Sequence, residues 1–442
     1  MSKTKIIVLD DDPTGSQTVH SCLLLTRWDA DTLIEACQDP APLFFVLTNT
    51  RGMDARRAAA VTREVCHNLK AALARLAEAG RPLNPLLVSR SDSTLRGHYP
   101  VETDVIAEEL GPFDAHFLVP AFFEGGRVTR DSVHYLMVAG RPVPVHETEF
   151  ARDSVFGYHN SYLPAYVEEK TGGRIPADRV ERFLLPDVRG DALPRLLALS
   201  GNACAVVDAE RPEDLARFAR ALTEAAHRGK RFLFRSGASL LTALADLPPQ
   251  PVAPERMADY ARGGRPGAFV VGSHVRKTTQ QVERLLAESG TVAIEVPVEG
   301  LPGARAEVLA DAGARVAAAH GRGETPVVFT SRVELTFPSQ AERLAFGEAV
   351  SALLMDIVRT LPETLGYLIS KGGITSNDVL SDGLALRTSR VLGQVIPGCS
   401  VVRCPPDHPR FPDLPVVIFP GNVGDEAALA TVYRRLSAGA RR

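Results

Sequence analysis

The feature of this sequence that most constrains its fold is a short apolar run that recurs, each time followed by a polar turn. In the first half, such runs lie at 5–9, 43–47, 85–88 and 117–119. Residues 55–79 carry apolar side chains at helical spacing, and Gly80 ends that pattern. Strands that alternate with helices are typical of a mainly parallel sheet. The sequence therefore predicts an α/β fold in which helices flank such a sheet.

The length of the chain and one weakly patterned segment together predict two domains. A chain of 442 residues exceeds the size at which a single hydrophobic core stops growing. The segment 247–266 is dense in proline, glycine and arginine and lacks apolar periodicity, which is typical of a linker. We therefore expect one domain over 1–248 and a second over 266–442, each with a mainly parallel sheet flanked by helices.

Residues 127–174 interrupt the alternation of strands and helices in the first domain. They are rich in proline, tyrosine and histidine. We expect an irregular excursion over the sheet, which contributes either to oligomer contacts or to a substrate pocket.

Composition and charge exclude several classes of partner. The formal net charge of -3 gives no electrostatic case for nucleic acid or an anionic membrane as the main partner. No stretch approaches a membrane-spanning length, and the N-terminus has no long apolar region. The six cysteines form no CxxC pair, and no HExxH motif or Cys/His cluster indicates a structural metal. These patterns predict a cytoplasmic protein with reduced thiols and leave homo-oligomerisation open.

The polar turns of the first half predict a binding site for a small polyhydroxy acid. Ligands of open α/β sheets bind beyond the carboxyl ends of the strands. Arginine offers a planar fork to a carboxylate, and aspartate and hydroxyl side chains pair with sugar hydroxyls. A single arginine is equally well explained by a surface ion pair, so the prediction depends on their recurrence at strand ends. The candidate binding residues are Asp11, Thr14, Arg51, Ser93, Arg96 and Arg127, with Thr94 as a further hydroxyl and Asp12 and Asp92 as candidate catalytic carboxylates.

A stretch in the second half, 368–380, reads LISKGGITSNDVL and has the pattern of a phosphate-binding turn. An apolar run leads through Lys371 to the pair Gly372-Gly373, and a helical pattern begins at Val379, with Ser376 or Asn377 as its N-cap. Amides at a helix start favour an anion, and Lys371 could add a charge. Similar turns follow the runs 268–271 and 416–419. The spacing matches neither GxxxxGK[ST] nor GxGxxG, so an ordinary strand-to-helix turn is the alternative.

Six motifs in order carry a resemblance to a known family. They are DDPTG at 11–15, DSTLRG at 92–97, GSHVRKTTQQ at 272–281, GGITSND at 372–378, GQVIPG at 393–398 and FPGNVGD at 419–425. Together they resemble the four-carbon acid sugar kinases, which include 3-oxo-tetronate, threonate and erythronate kinases. The resemblance implies an N-terminal acid-binding domain and a C-terminal ATP-binding domain. It also implies ATP contacts from Ser273, Gly372, Gly373, Ile374, Thr375 and Gly421.

These observations together predict an ATP-dependent kinase that phosphorylates a terminal hydroxyl of a small sugar acid, either four-carbon or a branched 3-oxo acid. Phosphoryl transfer needs mainly positioning and charge neutralisation, so Mg²⁺ is expected to arrive with ATP. The acid and ATP would meet in a cleft between the domains, with Asp12 or Asp92 orienting the attacking hydroxyl. The alternatives are a non-catalytic sensor of a sugar acid and a nucleotide, and an NAD-dependent sugar-acid dehydrogenase. The lack of GxGxxG after any strand argues against the dehydrogenase.

Overall fold

The structure is a computed structural model that describes residues 3–301, 303–332 and 335–438. Its contacts divide the chain into two units, Met1–Pro249 and Gln250–Arg442, and each is described by itself. No helix in the described ranges combines the length and the apolar content needed to cross a lipid bilayer.

The first unit is built on a parallel sheet with helices around it. Its strands are β1 (Lys3–Asp10), β2 (Leu23–Leu25), β3 (Leu43–Leu47), β4 (Leu83–Arg90), β5 (Ala115–Val119), β6 (Arg127–Arg130), β7 (Val133–Val138), β8 (Arg141–Pro144), β9 (Glu181–Phe183), β10 (Ala203–Val207) and β11 (Phe232–Ser236). Its helices are α1 (Ala30–Gln38), α2 (Ala55–Glu78), α3 (Val101–Leu110), α4 (Leu163–Lys170), α5 (Leu185–Arg189), α6 (Leu193–Ala198), α7 (Pro212–His227) and α8 (Ala238–Ala245). The main sheet has the order β2-β3-β1-β4-β11-β5-β10-β9, and its strand pairs are parallel.

The core of this unit forms where apolar helix faces cover that sheet. Helix α2 begins where the Asp54 carboxylate accepts a hydrogen bond from the Arg57 amide over 2.9 Å. Its buried side, which includes Leu69, packs in one cluster with Ile7 of β1 and Phe44 of β3. Because both faces of a parallel sheet are covered, its strands are apolar on both sides, as the continuous apolar runs predicted.

The prediction of an irregular segment at 127–174 is wrong. Strands β6, β7 and β8 form a separate antiparallel sheet in that order, and α4 follows. The hairpins turn through residues with positive φ, at Asp131-Ser132 and Ala139-Gly140. Prolines that suggested irregular structure lie in β8, an edge strand whose outer side needs no backbone donor.

The second unit is also built on a mainly parallel sheet. Its strands are β12 (Ala268–Val271), β13 (Thr291–Val296), β14 (Thr325–Thr330), β15 (Leu368–Lys371), β16 (Thr388–Ile396), β17 (Cys399–Arg403) and β18 (Pro415–Phe419), and its helices are α9 (Arg276–Leu286), α10 (Arg305–Gly321), α11 (Gln340–Thr360), α12 (Gly373–Asp378) and α13 (Ala428–Ser437). The order is β13-β14-β12-β15-β18-β17-β16. The pairs from β13 to β18 are parallel, whereas β17 runs antiparallel to β18 and β16. The predicted α/β fold is therefore confirmed.

The helix after the paired glycines begins earlier than predicted. Gly372 is the N-cap of α12, with φ at 123°, and Gly373 is its first residue. Ser376 is not the N-cap, since its hydroxyl donates to the Ser370 carbonyl over 3.2 Å. At Val379, where we expected the helix to start, the chain enters a π-helical turn that ends at Gly383.

Candidate functional site

The candidate acid-binding residues lie at the carboxyl ends of neighbouring parallel strands of the first unit. In the sheet, β1 lies between β3 and β4, and β11 lies on the other side of β4. Asp11 and Asp12 follow β1, Arg51 follows β3, and Asp92 and Arg96 follow β4. The parallel register therefore brings together side chains that are far apart in the sequence.

A hydrogen-bonded network of charged and hydroxyl groups joins three of these turns. The Arg51 guanidinium pairs with the carboxylates of Asp11 and Asp12. Asp11 Oδ2, which also accepts from Arg51 Nε over 3.3 Å, accepts a hydrogen bond from the Ser91 hydroxyl over 2.7 Å. Arg235, at the end of β11, donates to the same hydroxyl over 2.7 Å and forms a buried ion pair with Glu102. Arg51 is thus held by the protein's own carboxylates, and the network fixes the shape of the edge.

Gly97 is required where this network passes close to the backbone. Its φ is +124°, and a Cβ there would lie 2.4 Å from the Ser91 hydroxyl oxygen and 2.9 Å from an Asp11 carboxylate oxygen. Such distances are shorter than any real Cβ contact. The glycine of DSTLRG is therefore a packing requirement of the site.

Asp12 is an ionised carboxylate with both oxygens engaged. One oxygen accepts hydrogen bonds from the Thr14 amide, over 2.8 Å, and from the Thr14 hydroxyl. The other accepts from Arg51 over 3.2 Å. Burial alone would raise the pKa of Asp12, but the Arg51 charge and the Thr14 hydrogen bonds hold it below its usual value.

Asp92 and Arg96 form a pair that is less fully engaged. Arg96 Nε donates to Asp92 Oδ2 over 2.7 Å, and the Thr94 hydroxyl donates to the same oxygen. Within the described part of the chain, Asp92 Oδ1 has no hydrogen-bond donor, and it is not among the fully buried atoms. Burial would raise the pKa of Asp92, but the charges of Arg51 and Arg96 hold it well below its usual range. The pair presents an ionised carboxylate oxygen beside a guanidinium.

Three side chains from the segment that we expected to be irregular hold the backbone of this Asp92–Arg96 loop. His134 Nε2 donates to the Ser93 carbonyl over 2.8 Å, Tyr158 donates to Thr94 over 2.7 Å, and Tyr166 donates to Leu95 over 2.8 Å. We call these three side chains the carbonyl clamp. They bond three successive carbonyls of a loop in which Leu95 has a positive φ of 68°. The clamp fixes the path of the loop that carries Asp92 and Arg96.

Arg127 joins this arrangement only at its margin. Its Nη1 donates to the Gly125 carbonyl, and its guanidinium lies over the Phe122 ring at 5.8 Å. Its Nε is buried without a hydrogen-bond partner among the described residues. Burial lowers the pKa of Arg127. The predicted binding residue Ser93 takes part through its backbone carbonyl, which accepts the hydrogen bond from His134.

The predicted nucleotide residues of the second unit converge on Ser273, which follows β12. The Ser273 amide donates to the Lys371 carbonyl over 3.3 Å. A Cβ on Gly372 would lie 3.3 Å from the Ser273 Cβ, and one on Gly421 would lie 3.2 Å from the Ser273 hydroxyl. Thr375 closes the group, because its hydroxyl would lie 2.3 Å from a Cβ on Gly272. Glycines therefore let three strand-to-helix turns approach one another, and the exposed Ile374 lies on the helix that follows one of them.

Lys371 does not lie among the groups that could reach a ligand. Its ammonium donates to the Pro420 carbonyl over 2.6 Å and to the Gly421 carbonyl over 3.1 Å, and it lies 4.1 Å from the centre of the Phe419 ring. Burial lowers its pKa to about 7. The side chain supports the turn after β18 from within the protein, where the sequence suggested a charge for phosphate.

Four buried charged groups of the first unit were not among the predicted site residues. Arg235 and Glu102 carry the network, and Asp10 and Arg90 lie at the ends of β1 and β4. Burial raises the pKa of Asp10 well above its usual value, and a Cβ on Gly15 would lie 2.0 Å from that carboxylate. For Asp10, Arg90 and Arg235 the available signal was a charged residue at the end of an apolar run, whereas Glu102 lies in the first turn of α3 and shows no such signal.

A cavity of about 540 Å³ lies elsewhere in the first unit, against α7 and α8. Its lining includes Phe123, Arg220 and Thr242 but none of the predicted site residues. The candidate site is therefore defined by converging polar groups and not by the volume of a pocket. Within the described part of the chain, no group of three or more His, Cys, Asp or Glu side chains could hold a metal ion.

Two domain profiles match the chain. One is described as a sugar-binding N-terminal domain and matches residues 6–244, and the other is described as a nucleotide-binding C-terminal domain and matches residues 268–429. A D-erythronate kinase of Heliobacterium modesticaldum is 30% identical over 164 residues, which are 36% of this chain and 35% of that protein. A D-threonate kinase of Bordetella bronchiseptica is 29% identical over 227 residues, 49% of each chain. The matched segments thus span between a third and a half of these relatives.

Two solved structures have the same fold. A protein of Salmonella typhimurium LT2 superimposes with a TM-score of 0.71 at 20% identity, over 98% of both chains. A protein of Haemophilus influenzae superimposes with a TM-score of 0.65 at 17% identity, over 97% of this chain and 100% of that one. At these identities the likeness concerns the fold alone.

Proposed function

The chain belongs to the four-carbon acid sugar kinase family, with its sugar-binding N-terminal and nucleotide-binding C-terminal domains. From that premise, we propose that the chain is an ATP-dependent kinase. It transfers a phosphoryl group to a terminal hydroxyl of a small sugar acid. The first domain, over 1–248, binds the acid, and the second, over 266–442, binds ATP. That the two ligands meet between the domains stays a prediction from the sequence.

The observation that carries this proposal is the Asp92–Arg96 pair. A sugar acid needs a cation for its carboxylate and an acceptor for its hydroxyls, and this pair offers both within one loop. Arg96 uses Nε on Asp92, and its Nη1 lies 3.7 Å from Asp153. Its Nη2 has no ion-pair or hydrogen-bond partner among the described residues. We therefore assign the substrate carboxylate to Arg96.

Asp92 is the better candidate for orienting the attacking hydroxyl. Its Oδ1 is available, whereas both oxygens of Asp12 already accept hydrogen bonds from Thr14 and Arg51. Because the pKa of Asp92 lies well below its usual range, its carboxylate stays ionised and accepts a hydrogen bond at any physiological pH. A weak base of this kind orients the hydroxyl more than it removes its proton. Asp11, Thr14 and Arg51 complete the edge around the acid.

The Ser273, Gly372 and Gly421 turns fit a phosphate chain, because Gly372 and Gly421 place no side chain where the backbones come together. The exposed Ile374 offers apolar surface to a base. Mg²⁺ would bind mainly through the phosphates of ATP, where it neutralises charge.

The proposal is tested by following ADP release from the full-length protein with ATP, Mg²⁺ and a panel of acids. The panel contains threonate, erythronate, 3-oxo-tetronates and branched 3-oxo acids. We expect ADP release that requires both Mg²⁺ and one of the acids. Binding of an acid and ATP in calorimetry without ADP formation would point to the non-catalytic sensor. Reduction of NAD with an acid would point to the dehydrogenase.

A further inference from the structure

Arg332, two residues beyond the end of β14, is a cation whose guanidinium is only partly used. Its Nη1 donates to the Ser273 carbonyl over 2.6 Å, and its guanidinium lies 5.4 Å from the centre of the Phe329 ring. Its Nε and Nη2 atoms are buried and have no hydrogen-bond partner within the part of the chain that the structure describes. More than half of the donors of this guanidinium are therefore unused.

An arrangement of this kind is costly for the ligand-free protein. Burial lowers the pKa of Arg332, and the nearby carboxylate of Glu295 offsets this effect only in part. A desolvated cation without an anion destabilises a fold, whereas an anion that binds to it recovers the lost interactions. The unused donors therefore point to a ligand that the second unit binds.

The position of Arg332 in the sheet relates it to the strand-to-helix turns of the second unit. Strand β14 lies beside β12, and β15 and β18 follow in the sheet, so the carboxyl ends of all four strands lie along one edge. Arg332 contacts Ser273, on which the turns with Gly372 and Gly421 converge. The two lysines that border these turns do not offer buried, unused donors as Arg332 does. Lys371 is engaged by the Pro420 and Gly421 carbonyls, and Lys277 is exposed.

We propose that Arg332 binds the phosphate chain of the nucleotide, an inference that rests on the function proposed above. Its Nε and Nη2 form the side of the guanidinium that makes paired hydrogen bonds to two oxygens of one phosphate. The contact between Nη1 and Ser273 orients that side. Arg332 supplies the positive charge that a Walker lysine supplies in P-loop proteins, which this chain lacks.

Calorimetry with ATP, ADP, adenosine and pyrophosphate on the Arg332→Met variant tests this assignment. Loss of a charge-assisted contact weakens binding about 10- to 100-fold, and we expect this loss for ATP or ADP and for pyrophosphate. Adenosine, which has no phosphate, should bind both proteins equally. Arg332→Lys should lie between the two because it keeps the charge but loses the paired geometry. The matched control is Arg322→Met, which removes an exposed arginine paired with Glu324 and should leave ATP binding unchanged.

The melting temperature separates a ligand-binding role from a structural one. If Arg332 serves the ligand, the ligand-free Arg332→Met variant should melt at the same temperature as the wild type or higher, because an unpaired cation has been removed. The additional stabilisation by ATP should then be smaller for the variant than for the wild type at the same ATP concentration. A lower melting temperature without ligand, together with equal weakening of ATP and adenosine, would instead show a structural role and overturn the inference.

The remaining outcomes distinguish the inference from the proposed function. If the wild type binds ATP and the Arg332→Met variant binds it with the same affinity, the inference is overturned and the kinase proposal stands. If the wild type binds pyrophosphate through Arg332 but binds neither ATP nor ADP, the anion site is supported and the proposed use of a nucleotide is wrong. A wild-type protein that binds none of the phosphate compounds overturns both.

Discussion

At the residue scale, the two candidate carboxylates differ in how many of their oxygens are available. Both oxygens of Asp12 accept hydrogen bonds from the protein, so its removal should disturb the Arg51 network. Asp92 keeps Oδ1 available beside Arg96. The same residue type in two neighbouring turns therefore supports a structural role for Asp12 and a direct role toward the substrate for Asp92.

We expect Asp92→Asn to lower kcat and to change KM little, because an amide keeps the shape of the side chain but loses the charge that orients the hydroxyl. The loss should be about 10²- to 10⁴-fold if Asp92 also accepts the proton, and smaller if it only orients. Steady-state kinetics with the active acid measures both constants. Asp104→Asn, which removes an exposed carboxylate paired with Arg174, is the control. A large rise in KM with an unchanged kcat would show that Asp92 only binds the acid.

The sequence was sufficient to identify residues whose type and position at a strand end both suggested a ligand. Asp11, Asp12, Arg51, Asp92 and Arg96 have that type and position. In the structure they form two groups of ion pairs, and the Ser91 hydroxyl contacts both Asp11 and the Arg96 carbonyl. The residues that hold them could not be found in this way. His134 and Tyr158, for example, act through hydrogen bonds to backbone carbonyls, which leave no mark on the sequence of the loop they hold.

At the element scale, the small antiparallel sheet and the segment after it position a loop of the main site. The carbonyl clamp of His134, Tyr158 and Tyr166 replaces the backbone pairing that a loop cannot make for itself. Each of its hydrogen bonds contributes about 0.5–1.5 kcal/mol net, and a buried carbonyl left without a donor costs about 1–3 kcal/mol. The clamp therefore makes the geometry of Asp92 and Arg96 sensitive to residues that do not touch a substrate.

We expect Tyr158→Phe combined with Tyr166→Phe to raise KM for the acid and to lower kcat while the protein stays folded. Phenylalanine keeps the ring packing and removes only the hydroxyls that hold the Thr94 and Leu95 carbonyls. Tyr162→Phe is the matched control, because Tyr162 is exposed and lies outside the clamp. Kinetics and the melting temperature are measured together. A double variant that is merely less stable, with unchanged kcat and KM, would show that the clamp has no positioning role.

The buried His134 predicts a loss of stability in acid. Its Nδ1 accepts a hydrogen bond from the Thr129 hydroxyl, and burial lowers its pKa from 6.5 to about 4. Because the folded protein binds this proton less well than the unfolded chain does, the contribution of His134 is complete above pH 6.5 and is lost as the pH falls toward 4. The loss is on the order of 3 kcal/mol.

Urea unfolding of the wild type and of His134→Gln between pH 7 and about pH 4 measures this contribution. The difference in unfolding free energy between the two proteins should shrink as the pH falls. Asp208, whose pKa burial raises to about 6, titrates in the same range with the opposite sign. Its contribution is common to both proteins and cancels in the difference. A difference that does not depend on pH would contradict the assignment of a neutral His134.

A substitution at Gly372 tests the role of the strand-to-helix turn after β15. The Gly372 φ of +123° disfavours any side chain, and a Cβ would lie 3.1 Å from the Thr375 hydroxyl. We expect Gly372→Ala to destabilise the protein by about 1–3 kcal/mol and to weaken ATP binding, because the turn must shift. Calorimetry and urea unfolding measure the two effects. Gly347→Ala, at an open position inside α11, is the control and should not weaken ATP binding.

Element types were more predictable from the sequence than the points where elements begin. The continuous apolar runs gave the parallel strands correctly because both faces of such a sheet are buried. The hairpins of β6–β8 were missed because their edge prolines suggested an irregular chain. The start of α12 was missed because Gly372 caps it through its backbone conformation, whereas the sequence pattern favoured a side-chain cap at Ser376.

At the scale of the whole molecule, the two units carry different chemistry. Carboxylates and arginines dominate the edge of the first unit, whereas glycines and backbone groups form the turns of the second. A polyhydroxy acid and a phosphate chain require these two kinds of site respectively. The proposed division of ligands between the domains follows from this contrast.

We expect Arg96→Ala to weaken acid binding by about 1.5–3 kcal/mol, the contribution of a charge-assisted hydrogen bond. ATP binding measured without the acid should not change, since Arg96 lies in the first unit. Calorimetry with each ligand separately tests both statements, with Arg63→Ala, an exposed arginine paired with Glu108, as the control. Loss of ATP affinity with retained acid affinity would show that the assignment of ligands to domains is reversed.

The carbonyl clamp has a consequence for how the candidate site responds to changes in its own side chains. Because the clamp bonds three main-chain carbonyls of the Asp92–Arg96 loop, this part of what holds the loop does not depend on the side chains that the loop displays. A substitution of the Ser93 side chain therefore leaves these three hydrogen bonds in place, whereas a substitution of Thr94 or Arg96 also removes a donor to Asp92. Under the proposed function, we expect single substitutions on this loop to change which acid is accepted while the clamp keeps the backbone in place.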